Sequence, residues 1–151
     1  VLGIWFIIWL LFLPNAPYII TDLLHLSNVE GSIMWLDVLL ITSFAYNGLV
    51  LFFLSMRDMQ KLIRKHFSKT KTNYIIHMVF LLTGFGIYLG RFLRYNSWEI
   101  LSHPKYLITD VLSIAIQPYA NKQAWLFTLL FGSFLIVGFW IFKQLYSTPS
   151  T

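Results

Sequence analysis

Apolar residues in this chain come in long blocks, not in the alternation of a half-buried strand. Val1–Leu13 is almost wholly apolar. Ile33–Met56 follows, interrupted by Asp37 and Asn47, then Tyr74–Phe92, then Ala124–Phe142 without a charged side chain. The last two blocks have the length of about 20 residues that crosses a bilayer as a helix. The first reaches only about 20 Å as a helix, against a hydrocarbon core of about 30 Å. It is expected to be the end of a span that begins upstream, with further N-terminal spans missing from the sequence. The pattern therefore predicts an all-α fold, a polytopic transmembrane helix bundle. Its spans lie at about 1–13 (partial), 33–56, 74–92 and 124–142 of a single membrane domain, 1–151.

Two connecting segments carry a helical period of their own. In LPNAPYIITDLLHLSNVEG, Pro14 is expected to end the preceding helix and Asn15 to cap the next. Ile19, Ile20, Leu23 and Leu24 then form an apolar stripe, and Tyr18, Asp22 and His25 a polar one. In the second segment Asn96 and Glu99 have capping-box spacing. Leu107, Ile108, Val111, Leu112 and Ala115 define an apolar face, with Tyr106, Asp110, Ser113 and Gln117 opposite, until Pro118. Both read as short amphipathic helices lying at the interface, about 17–28 and 97–117.

Composition supports a membrane protein. Of 151 residues, 58% are hydrophobic and 11% charged, where a soluble domain has about one quarter charged. The absence of cysteine excludes disulfides, thiolate metal sites and cysteine nucleophiles. The net charge of +5 does not point to nucleic acid, because the cations flank apolar spans. Arg57, Lys61, Arg64, Lys65, Lys69 and Lys71 crowd the 57–73 connection, whose one acid is Asp58. Short Lys/Arg-rich loops stay in the cytoplasm, and contact with anionic headgroups contributes about 1 kcal/mol per cation. That assignment places both amphipathic helices on the outer face. There Arg91, Arg94, Lys105 and Lys122 meet Asp22, Glu30, Asp37, Glu99 and Asp110.

The runs LPNAPYIITDLLHL and GFGIYLGRFLRYNSWEIL resemble a family of bacterial integral membrane proteins catalogued as domain of unknown function 1361. The resemblance extends from about Leu11 through the last span. Tyr95 stands where the family pattern leads to tryptophan. It implies a multi-pass protein of the bacterial cytoplasmic membrane with additional N-terminal spans. It supplies no activity.

Chemistry must come from the outer-face polar residues. Arginine presents a planar fork that grips carboxylate or phosphate through two hydrogen bonds. Arg91 and Arg94, three apart, share a helix face, and Asn15, Tyr18, Asn96 and Ser97 offer neutral donors. With Asp22, His25 and Asp110 these form the candidate ligand-binding set. The set either binds an anionic ligand, such as a lipid headgroup or small anion, or pairs internally and locks the bundle. Asp22 and His25 with His103, Glu99 or Asp110 have ligand types that suit zinc, iron or manganese. Their spacing is common in helices, and no metal site is assigned. No nucleophile motif accompanies Asp22 and His25, and the aromatics single out no cofactor box. The alternatives are an accessory or packing subunit with protein partners and, third, a transporter. Asn47 is expected to hydrogen-bond a neighbouring helix, and Gly86 with Gly90, joined by Gly84, to mark a close helix approach.

Overall fold

The computed structural model describes residues 2–28, 34–95 and 104–146, without the side chains of 2 and 24–28. Among them every regular element is helical. The order is α1 (Leu2–Phe12), α2 (Asn15–Tyr18), a 3-10 helix (Ile19–Asn28), α3 (Met34–Arg64), α4 (Lys69–Phe92), α5 (Pro104–Ile116) and α6 (Lys122–Tyr146). Four stretches are long and apolar enough to cross a membrane: Gly3–Leu23, Met34–Arg64, Lys69–Phe92 and Lys122–Tyr146. In an apolar 18-residue portion of each, only 11 to 33% is buried within the protein. Trp5, Leu39, Phe44, Leu130 and Trp140 are among many large apolar side chains left exposed. In water that surface would drive association; lipid solvates it. This is a multi-pass membrane protein.

Some helix ends differ from those the apolar blocks predict. As expected, α1 ends at Phe12, just before Leu13 and Pro14, although the dihedrals of Pro14 (φ −63°, ψ −21°) are themselves right-handed helical and lead straight into α2. Proline's fixed φ suits a helix; what it lacks is one N–H. Pro14, not Asn15, holds the N-cap position of α2, and no side chain caps it. The chain then tightens into ten residues of 3-10 helix, an unusually long run for that geometry. At the other end of the second block, α3 continues through the basic residues to Arg64. Its 31 residues span about 46 Å, well beyond a core of about 30 Å. Lysine, arginine and glutamine are good helix formers, so the polar end of α3 stays helical outside the apolar stretch. The expected 57–73 loop is therefore mostly helix, with residues 65–68 joining α3 to α4.

The chain forms two compact units, Val1–Leu11 with His77–Thr151, and Phe12–Ile76. In the Phe12–Ile76 unit, α2 and the 3-10 helix pack on α3. Gly48 is the crossing point: a Cβ there would stand 2.5 Å from the Ala16 carbonyl oxygen. Pro17 and Thr21 are buried on this side, and the Thr21 hydroxyl donates to the Tyr18 carbonyl at 2.6 Å. The stripe Ala45, Phe52, Met56 and Gln60 carries the buried face of α3 onward. Gln60 Nε2 donates to Asn73 Oδ1 at 3.2 Å, closing the α3–α4 hairpin.

In the other unit α4 and α6 approach through small residues. A Cβ on Gly84 would lie 3.0 Å from the Thr128 carbonyl and 3.1 Å from the Gly132 nitrogen. Gly84, from the expected small-residue set, thus makes this contact. Phe80 packs on Phe139 with ring centroids 5.3 Å apart, and Ile87 of α4 and Leu135 of α6 are fully buried.

Candidate functional site

The candidate residues fall on both units, and each group is described within its own. Arg91, Arg94 and Asp110 belong to the unit containing α5 and α6; Asn15, Tyr18, Asp22 and His25 belong to the other. Asn96 lies outside the described residues, as do Ser97, Glu99 and His103.

The first group is built on the end of α4. Arg91 sits half-buried in its last turn, where a cation complements the negative end of the helix dipole. The helix closes through Arg94, which adopts φ 60°, left-handed for a residue other than glycine. The next amide, Tyr95 N–H, turns back to the Leu89 carbonyl at 3.1 Å. That is one residue wider than the usual closure in which a left-handed residue ends a helix. Holding arginine in this region costs about 1 to 2 kcal/mol. Tyr95 pins it from the far side too: its phenol donates to Asp110 Oδ2 at 2.7 Å. Arg94 itself is exposed.

Asp110 corrects the face assigned to α5. Leu107, Asp110 and Val111 are half-buried and Ile114 is buried, while Ile108 and Leu112 are exposed. Asp110 thus lies on the inward stripe, and part of the expected apolar face points outward. Outward apolar residues are costly in water but not in lipid, so the familiar sense of amphipathicity does not hold here. Two further bonds fix α5: Trp125 Nε1–H donates to the Ile114 carbonyl at 3.0 Å, and Asn121 Nδ2 to the Ser113 carbonyl at 3.3 Å. Beneath lies an aromatic floor. Tyr88 stacks on Phe92 at 5.0 Å, and Phe127 meets Phe92 edge-on at 5.3 Å.

In the second group the 3-10 register changes which positions align. Three residues per turn put positions 22 and 25 in one column and positions 18 and 21 in another. Tyr18 therefore aligns with Thr21 instead of forming one stripe with Asp22 and His25. Tyr18 and Asp22 are half-buried and Asn15 is exposed. The side chain of His25 lies outside the described set. Among the described residues no three His, Asp or Glu side chains come together as a metal site.

Sequence reasoning missed Tyr95 as the partner of Asp110. The residue drew notice only as a tyrosine in place of tryptophan, and fifteen positions of separation leave no periodic signal. Asn47 also departs from expectation: its amide donates to the Ser43 carbonyl of its own helix at 2.8 Å.

No curated protein and no solved structure matches the chain. The model of one family, described as protein of unknown function (DUF1361), matches residues 1–137, most of the chain. With its four membrane-crossing stretches, the chain belongs to that DUF1361 family.

Proposed function

We propose that the end of α4 binds an anionic group, a phosphate or carboxylate, at the membrane boundary. The observation that carries this reading is Arg94: an exposed guanidinium on a left-handed backbone, held there by the Tyr95 amide and phenol. Strain kept by its surroundings, at a cation beside an apolar span, points to a positioned charge more than to a chance anchor. A helix C-terminus repels anions, so affinity must come from the guanidinium fork of Arg94, supported by the charge of Arg91. Asp110 is engaged by Tyr95, which supports a role in fixing the site and not in filling it. A phospholipid headgroup meets the chemistry and the location together.

The test is native mass spectrometry of delipidated protein titrated with phosphatidylglycerol, phosphatidylcholine or inorganic phosphate. Phosphatidylglycerol should bind, and Arg94→Gln should weaken it by about 10- to 100-fold, as expected for a lost charged hydrogen bond. Arg94→Lys should recover only part, because a point charge does not replace the fork. Equal binding of both lipids, unchanged in Arg94→Gln, refutes the reading. Binding of phosphate alone would place the natural ligand among small anions.

A second reading, an accessory subunit packed against a larger complex, draws on the thin burial of the spans. Co-purification of one stoichiometric protein partner from native membranes, unaffected by Arg94→Gln, would favour it.

A further inference from the structure

Asn47 stands near the middle of the apolar part of α3, two residues from the midpoint of Met34–Met56, and its side chain is exposed. At 3.6 residues per turn it lies about 140° to 180° around the helix from the buried Phe52 and Met56. Its bond to the Ser43 carbonyl uses a single amide hydrogen. Ser43, also exposed, donates its own hydroxyl to the Leu39 carbonyl at 2.7 Å. The second N–H and the Oδ1 of Asn47 are therefore left for a partner outside the described residues. At this depth no water is at hand, and an amide half-satisfied in hydrocarbon is costly.

We propose that this partner is Asn47 of a second copy, the two α3 helices packing in parallel across a two-fold axis normal to the membrane. The chemistry chooses a second copy because the remaining groups are one donor and one acceptor, which complement themselves. The geometry agrees: two copies inserted with the same topology carry Asn47 at the same depth, so a two-fold axis brings amide to amide. Each then gives an N–H and accepts one. Ser43, one turn away, is small enough to let the backbones approach. This association uses α3 alone and is independent of the anion site at the end of α4.

The chain has no cysteine, so single cysteines report cleanly. In native membranes holding the full-length protein, Leu40→Cys, Ser43→Cys and Leu54→Cys should each give an oxidatively cross-linked dimer. Tyr46→Cys, about 100° around the helix, should give at least about tenfold less. In the Leu40→Cys background, Asn47→Leu should lower the association constant about 3- to 30-fold, the range for one interhelical polar contact. Asn47→Gln should retain most of it. Absence of dimer at all three positions overturns the proposal and leaves a different segment or protein as the partner. Cross-linking that is equal at Tyr46, or untouched by Asn47→Leu, overturns it as well.

Discussion

Two helix crossings, one in each unit, are both made by glycine and are built differently. At Gly48 the nearest foreign atom is a backbone carbonyl, Ala16 O, 2.5 Å from where a Cβ would stand. At Gly132 it is the tip of a flexible side chain, Leu81 Cδ2, at 2.8 Å. Gly84 is intermediate, with backbone atoms at 3.0 and 3.1 Å. A backbone carbonyl inside a helical turn has nowhere to go, whereas a leucine methyl turns aside. The Phe12–Ile76 unit thus depends on one backbone approach. The other unit adds side-chain clasps, Tyr95 to Asp110 and Trp125 to Ile114, around a more forgiving crossing.

The largest test of that contrast is Gly48→Ala. Forcing α2 off α3 should cost about 3 kcal/mol or more, the upper part of the range for overpacking. Unfolding by titrated denaturing detergent would read it. Gly84→Ala should cost about 1 to 2 kcal/mol. Gly132→Ala should be near neutral, since its small clash is offset by the roughly 1 kcal/mol that alanine gains over glycine in a helix. Equal losses at Gly48 and Gly132 would erase the distinction.

Why the sequence showed some of this and hid the rest follows from what each signal measures. Apolar blocks report where hydrocarbon surrounds the chain, and they overlap the four helical stretches long and apolar enough to cross a membrane, although the first of these runs on to Leu23 instead of stopping near Leu13. They do not report where helices stop: Arg57 to Arg64 marks a solvent boundary, yet the α3 backbone runs through it. The face of α5 was misjudged because the periodicity argument assumed water outside, whereas Ile108 and Leu112 point outward and Asp110 inward. Arg91, Arg94 and Asp110 were legible as types and positions. The left-handed turn at Arg94 and the Tyr95 bond were not, since they depend on how α4 ends and where α5 returns.

The clasp supplies the next test. Tyr95→Phe removes a donor from a part-buried carboxylate and keeps the ring, so it should cost about 1.5 to 3 kcal/mol, the range for a hydrogen bond to a charged group. Asp110→Asn should cost less, because the amide oxygen still accepts from the phenol. If Tyr95 also positions Arg94, then Tyr95→Phe should weaken phosphatidylglycerol binding, whereas Gly84→Ala, whose expected cost overlaps that of Tyr95→Phe, should not. Parallel loss of binding in both variants would reduce the clasp to a stability element.

The last expected effect has the opposite sign. Thr128, at the Gly84 crossing, has a buried hydroxyl with no hydrogen-bond partner among the described residues. Thr83, on the facing helix, instead donates to the Val79 carbonyl of its own helix at 2.8 Å. Burying a hydroxyl without a bond costs about 1 to 3 kcal/mol. Thr128→Val keeps the branched shape without that hydroxyl and should therefore stabilise the unit by about 1 kcal/mol. Thr83→Val gives up a made bond and should destabilise by about 0.5 to 1.5 kcal/mol. If both variants lose stability in bilayers, the Thr128 hydroxyl has a partner there that lies beyond this crossing. The α4–α6 contact would then resemble α3 at Asn47, where a polar group inside the membrane needs a second molecule to complete it.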